Sequence, residues 1–331
     1  MLDLMKKSPP ILKEVAKDIY LISIPIPVME QINCYLFRGE KGFTLIDTGL
    51  YTSEGMAIWE DLISSGIKIE KVVLTHFHID HIGFARWFQE KQQVPVFISS
   101  HGYEEMKKRR KGDYSDWAIE LFQEHDGLQL FKTAIEEQIA IEEQMMYAYE
   151  FEPDGLFDEN QYILLGNEIY ETIWTPGHSA DHFCFYNHER QLMVIGDHIV
   201  EHFSPLILLE SSTDLNPLMS YYDSLEKMKD YSINLALPGH GNLFENVNKR
   251  IEDIQSGHHY RMKQILESLK DEEKTAGQMT QEIYKNASNI AFGPIMSTII
   301  RCIYLESIGK LQSECINGKR LYKKVDGASA K

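Results

Sequence analysis

The chain has 331 residues, 43% of them hydrophobic, and a formal net charge of −17. That size suits one enzyme-sized domain plus a smaller module, and no run approaches the ~18 apolar residues a membrane span needs. The strong negative charge opposes a polyanionic partner over most of the surface. The first seven residues lack the apolar core of a signal peptide. Four cysteines, Cys34, Cys184, Cys302 and Cys315, are scattered without a Cys-x-x-Cys pair. Reduced thiols in a cytoplasm are the simplest account of them.

Leu45-Ile46-Asp47-Thr48-Gly49 reads as a strand end followed by a turn, with Asp47 a natural turn former. Val72-Val73-Leu74 then leads into Thr75-His76-Phe77-His78-Ile79-Asp80-His81-Ile82-Gly83. This run places four metal-capable side chains, His76, His78, Asp80 and His81, within six residues. One tetrahedral ion cannot take all of them without strain. Two adjacent ions can share them, His76 and His78 turning to one, Asp80 and His81 to the other. Such paired centres mostly perform hydrolysis.

Residues 102–160 interrupt the alternation of strands and helices. They carry 16 Asp/Glu against 6 Lys/Arg, a net of −10. Ile135, Ile139 and Met146 fit one helical stripe and the glutamates a solvated face. The segment is expected to be a helical insertion folded over the metal edge. Trp117, Phe122, Met145, Met146 and Tyr147 would line a pocket there, or serve ordinary helix packing or a dimer contact.

Three further ligand types follow, each just after a short apolar or β-branched run and beside a glycine that lets the backbone bend. They are His178 in Thr175-Pro176-Gly177-His178, Asp197 in Ile195-Gly196-Asp197, and His240 in Pro238-Gly239-His240-Gly241. Strand ends would thus deliver ligands to one edge of a sheet assembly. The remaining histidines, including His101, His125, His182, His188, His198 and His202, fit ordinary surface or capping roles.

From Ile251 the tail reads as a separate unit. One helix runs through Leu269, and a second starts at Thr275, an N-cap with Gln278 three residues on. Phe292 to Ile308 makes a third. Asn317-Gly318 between two strand-like runs signals a hairpin. Three helices and a hairpin describe a winged-helix module. Residues 257–331 hold 12 Lys/Arg against 8 Asp/Glu, with Lys319, Arg320, Lys323 and Lys324 on the wing. Four phosphate contacts would give only weak nucleic-acid binding, against −21 on the rest of the chain.

The ordered set His76, His78, Asp80, His81, His178, Asp197 and His240 resembles the pattern of the metallo-β-lactamase superfamily, His-x-His-x-Asp-His followed by His, Asp and His. The resemblance spans residues from about 15 to 245 and implies an α+β fold, the αββα sandwich. It implies that His76, His78 and His178 hold a first metal, Asp80, His81 and His240 a second, and that Asp197 bridges them. It implies that Asp47 supports the metal loop from behind. Catalytic domain 1–250, with the insertion at 102–160, would precede a C-terminal helical and winged-helix-like module at 251–331. The tail resembles that of one branch of the superfamily, in which a His-His-x-x-Arg helix precedes the winged helix. Here that is His258, His259 and Arg261, and His258 and Arg261 become candidates for contact with an anionic substrate tail. That branch includes a single-strand endoribonuclease and bacterial hydrolases.

The commonest β-lactamases carry Cys where Asp197 stands, so antibiotic hydrolysis is not the expected activity. Flavin-linked di-iron relatives carry Glu where His78 stands. The expected function is therefore a binuclear hydrolase in which two divalent cations share a water and lower its pKa. Zinc is the default, with iron or manganese also suited to imidazole and carboxylate ligands. Asp80 is the expected catalytic residue, orienting the nucleophile and accepting its proton. The expected substrate is a small carboxylic ester or thioester, of an acyl-CoA-like or glutathione-like kind. The alternatives are a phosphodiesterase or single-strand endoribonuclease, and a metal-bearing regulator whose wing binds nucleic acid or protein. A homodimer is compatible with the sequence, and no membrane partner is expected.

Overall fold

A computed structural model describes residues 12–325, apart from 27–30, 113, 210–213, 271 and 285–291. The amino-terminal residues read above for a leader lie outside that range. One sheet holds β1 (Lys13–Ala16), β2 (Ile19–Pro25), β3 (Gln31–Arg38), β4 (Phe43–Ile46), β5 (Ile69–Val73), β6 (Val96–Ser99) and β7 (Gly155–Phe157) in sequential order. Its first four strands pair antiparallel and the rest parallel. A second sheet holds β8 (Tyr162–Leu165), β9 (Glu168–Trp174), β10 (Phe183–Asn187), β11 (Leu192–Gly196) and β12 (Leu235–Pro238), with only β11 and β12 parallel.

Side chains alternate across a strand, and here both faces of the central strands are covered. In β3, Tyr35 and Phe37 point between the sheets, while Ile32, Cys34 and Leu36 point outward under helices. In β10, Phe183 and Phe185 meet them from the second sheet, and Cys184 and Tyr186 face the opposite layer. Strands buried on both faces read as nearly continuous apolar runs, which Leu192 to Ile195 shows. The layers are therefore helix, sheet, sheet, helix.

The helices are α1 (Ser53–Ser64), α2 (Ile79–Ile82), α3 (Ala85–Gln92), α4 (Ser100–Arg110), α5 (Tyr114–Glu124), α6 (Gly127–Gln144), α7 (Pro217–Met228), α8 (Val247–Leu269), α9 (Ala276–Ile283) and α10 (Phe292–Ser307). Thr52 caps α1 by accepting from the Gly55 amide, and buried Trp59 ties that helix to the Thr48 carbonyl. Thr275 and Gln278 form the reciprocal capping box of α9. The strands β13 (Leu311–Ile316) and β14 (Lys319–Lys324) are joined by Asn317 and Gly318, both at positive φ, as a two-residue hairpin turn requires. Helix α8 begins four residues before Ile251 and runs on unbroken. Its Val247, Ile251 and Ile254 share one core with Met193 and Ile195 of the second sheet and with α10.

In the acidic segment, helices α5 and α6 turn their apolar stripes, Ala118, Phe122 and Ile135, into the core shared with α9, α10 and β14. Phe122 is wholly buried against Phe292, so it lines no pocket. The stripe expected through Met146 breaks because α6 ends at Gln144 and a separate 3-10 turn follows at Met146–Tyr149. That turn leaves Ile135 and Met146 in different cores and brings Met146–Tyr149 beside α2. Tyr147 packs on Tyr51 and under Arg86.

Candidate metal centre

Strand β5 ends three residues before His76, and the loop after it winds into the short helix α2, which turns His81 inward beside Asp80. Strands β9, β11 and β12 end just before His178, Asp197 and His240. The loops are knotted together by backbone bonds: the Gly239 amide donates to the Gly196 carbonyl at 2.9 Å, and the Phe183 amide to the Thr75 carbonyl at 2.9 Å. A side chain at position 239 would collide with Asp197 and with the His81 ring, so glycine is required there for close approach.

Seven side chains converge. Three groups have ligand atoms all within 4.8 Å of one another: His76, His78 and His178; His76, His81 and Asp197; and Asp80, His81 and His240. Asp197 Oδ2 lies 3.4 Å from His81 Nε2, 3.5 Å from His178 Nε2 and 3.3 Å from His240 Nε2. Asp80 Oδ2 lies 3.2 Å from His240 Nε2. His76 Nε2 and His78 Nδ1 are 3.0 Å apart.

Hydrogen bonds behind the rings decide which nitrogen faces the centre. His178 Nδ1 is 2.7 Å from the Leu206 carbonyl and His240 Nδ1 is 3.0 Å from the Gln31 carbonyl. A carbonyl only accepts, so each Nδ1 carries a proton, and in the neutral ring each Nε2 presents a lone pair. Asp47 acts likewise on His81, accepting from Nδ1 at 2.8 Å. It also accepts from the Thr75 amide and hydroxyl, both at 2.8 Å. The Thr75 hydroxyl, its proton committed to Asp47, accepts from His76 Nδ1 at 2.9 Å. One carboxylate thereby orients two imidazoles. Four lone pairs and two carboxylates then point at one buried space, where His81 Nε2 and Asp197 Oδ1 make no hydrogen bond. Such a donor set repels itself without positive charge, and it matches the N/O ligands of divalent transition metals.

The carboxylates favour positive charge on two of the rings, a place for which protons and divalent cations compete. Burial works against charge on His240, yet Asp197 and Asp80 push it up to about 10. Burial likewise opposes charge on His81, but Asp197, Asp47 and Asp80 raise it well above the ordinary range. Burial pushes the Asp80 carboxyl upward, and His81 and His240 more than reverse this, holding it low. Burial, with the surrounding imidazoles, keeps His76 neutral, the ligating form.

Several supporting residues carry no signal in the sequence. His182, grouped above with the ordinary histidines, is fully buried; its Nε2 accepts from the Asp197 amide at 3.0 Å and its Nδ1 donates to Thr175 Oγ1 at 2.8 Å. Asn33 donates to the carbonyls of Pro238 and Gly241, and Tyr35 to that of Pro238, so β3 clamps the loop that carries His240. The other histidines lie apart in ordinary roles: His101 stacks on Trp174, His125 on Tyr322, and His188 and His202 meet Glu171 and Glu201. His198 is buried beside Tyr221. His258 is buried between Tyr221 and Tyr222, while Arg261 lies over the Tyr284 ring and bonds Gln264.

The sequence model described as the metallo-beta-lactamase superfamily matches residues 28–240, a span that contains all seven converging side chains. The chain belongs to the metallo-beta-lactamase superfamily. A Bacillus subtilis protein named "Probable metallo-hydrolase YqjP" is 26% identical over 283 residues, covering 81% of this chain and 85% of its own length. An Aspergillus fumigatus protein named "Atrochrysone carboxyl ACP thioesterase" is 24% identical over 75% of this chain and 64% of its own length. Among solved structures, the metallo-beta-lactamase family protein TTHA1429 from Thermus thermophilus superposes with a TM-score of 0.82, 24% identical, over 94% of this chain and all of its own. A beta-lactamase domain protein from Burkholderia ambifaria gives 0.84 at 20% identity over 98% of this chain and 97% of its own. Both share the fold over nearly the whole chain. This member of the metallo-beta-lactamase superfamily is a metal-dependent hydrolase, with His/Asp groups able to hold divalent metal. No helix among its described residues is long and apolar enough to cross a membrane.

Proposed function

We propose that this hydrolase cleaves a carboxylic ester or thioester at a centre of two divalent cations, zinc by preference. His76, His78 and His178 would hold one, Asp80, His81 and His240 the other, with Asp197 shared. The observation that carries the two-cation reading is Asp197 Oδ2, 3.3–3.5 Å from imidazole nitrogens of both sets. Bound cations of this kind acidify water and stabilise negative charge developing on a carbonyl oxygen.

The chain's own residues divide the remaining work. Asp197 is shut in, with 9% of its side chain exposed, whereas Asp80 is 24% exposed. Asp80 is thus the carboxylate that can meet an incoming water, orient it and take its proton. Asp47, Thr75, Leu206 and Gln31 hold four imidazoles in the ligating tautomer. His182 fixes the Asp197 backbone from behind.

The thioester choice draws on the fungal relative named as a thioesterase and on the wing. Lys319 pairs with Asp126 at 2.7 Å, Arg320 with Glu124 at 2.5 Å and Lys323 with Glu273 at 3.2 Å. Cations already neutralised by the protein's own acids release few counterions on nucleic acid. We therefore place the endoribonuclease and regulator readings second, and read residues 251–331 as a winged-helix-like module that packs on the acidic helices of catalytic region 1–250. Three helices, α8, α9 and α10, and the hairpin around one core support that reading. The test is a panel of acyl thioesters, lactones and bis-p-nitrophenyl phosphate. Thioester hydrolysis is expected, lost at least 100-fold in Asp80→Asn with metal content retained. Turnover of the phosphodiester alone would overturn the substrate assignment, and full thioester turnover by Asp80→Asn would overturn the role of Asp80.

A further inference from the structure

Away from the metal centre, helices α7, α8 and α10 pack on one another and enclose three side chains with polar atoms left unmatched among the described residues. His258 is 2% exposed and neither ring nitrogen makes a hydrogen bond. Arg301 is 8% exposed; its Nη1 donates to the Ser297 carbonyl of its own helix, and its Nε has no partner. Tyr222, whose ring centroid lies 6.0 Å from that of His258, has a buried hydroxyl with no partner. No carboxylate among the described residues pairs with Arg301, and the second nearby guanidinium, Arg261, is a like charge. Buried polar groups are almost always hydrogen-bonded, and guanidinium does not shed its proton. In a chain of net charge −17, a buried cation without a counterion among the described residues is a specific arrangement.

Arg301 Nε, the Tyr222 hydroxyl and one His258 ring nitrogen can each donate. Burial, with Arg301 adding to it, pushes His258 down to about 3, so it is a neutral imidazole with one N–H to give. A guanidinium, an imidazole N–H and a phenol together suit an oxygen anion. We propose that His258, Arg301 and Tyr222 form an oxyanion site for a carboxylate or phosphate group, with Arg261 adding positive charge beside it. Tyr221 touches both the site and the loop after β11: its ring is 6.1 Å from His258 and 5.2 Å from His198, and its hydroxyl donates to the His198 carbonyl at 2.7 Å. The occupant is either the anionic end of the substrate's carrier, which rests on the thioester reading above, or free phosphate.

The experiment compares the metal-loaded wild type with Arg301→Met by thermal melting in inorganic phosphate at constant ionic strength. Phosphate should raise the wild-type midpoint by a few degrees through binding to the native state and leave the variant unmoved. Without phosphate the variant should melt no lower than wild type, because an uncompensated buried charge has gone. Equal shifts in both proteins, or none in wild type, would overturn the site. If Arg301→Met does not fold, His258→Phe and Tyr222→Phe should each at least halve the shift, and a full shift in both would overturn it equally. The kcat/KM ratio for an anionic over an uncharged thioester then identifies the occupant. A fall of about tenfold or more in the variant assigns the site to the substrate, and an unchanged ratio with the shift lost assigns it to free phosphate. Failure of wild type to cleave either thioester would end the thioester reading while the melting result still decides the site.

Discussion

Asp47 accepts three hydrogen bonds, from the Thr75 amide, the Thr75 hydroxyl and His81 Nδ1. It does so from the left-handed region, at φ 56°, which Asp tolerates better than most side chains. Asp47→Asn cannot accept all three in the same way and offers no charge to the imidazole. We expect a loss of metal affinity of about 10–100-fold, measured by chelator competition, with the fold intact by circular dichroism. Unchanged affinity would show that the Thr75–Asp47–His81 chain does not orient the ligands. The seven converging residues were legible because His and Asp recur at short spacing and beside glycines at strand ends. His182, Asn33 and the carbonyls of Leu206 and Gln31 were not, because a backbone acceptor has no residue identity and a lone His or Asn looks alike in any role. His182→Phe, which removes the acceptor for the Asp197 amide, should weaken metal binding without touching a ligand, again by chelator competition.

Helix α9 and the hairpin β13–β14 could be read directly, since Thr275 with Gln278 and Asn317-Gly318 are local chemistry that needs no tertiary context. The path of α5 and α6 could not, because an apolar stripe names a buried face but not what buries it. Phe122 and Ile135 chose the C-terminal helices, and His125 follows them there, buried against Tyr322 at 5.9 Å. Burial, with Arg320 beside it, pushes His125 down to about 3. The unfolded chain binds this proton near pH 6.5 and the folded chain does not. His125 is therefore harmless above that pH and destabilises progressively as pH falls toward 3. Between pH 6.5 and 5 the loss from this residue should reach about 2 kcal/mol. Urea unfolding at both pH values should show a smaller acid loss in His125→Phe, which keeps the ring and removes the titration. An identical loss in both proteins would place the acid sensitivity elsewhere.

The excess of acid is matched locally wherever the chain turns basic. Lys319, Arg320 and Lys323 of the hairpin meet acids of α5, its following turn and the residue before Lys274. Net charge alone could signal repulsion of polyanions, but not that the wing is tied down; that required the long-range pairing of residues more than 190 positions apart. We expect no salt-sensitive binding of single-stranded RNA or DNA in electrophoretic mobility assays at physiological ionic strength, and tight, salt-sensitive binding would restore the nucleic-acid reading. At the sheet edge the same chain gathers four imidazole lone pairs and two carboxylates into one buried space, an arrangement that is self-repelling until cations enter. The most direct test is elemental analysis of the purified wild type beside Asp197→Ala. Wild type should hold about two divalent ions per chain, the variant clearly fewer, and hydrolysis should fall with the metal on chelation and return on its replacement. Trace metal in the wild type, with hydrolysis indifferent to chelator, would contradict the two-cation reading.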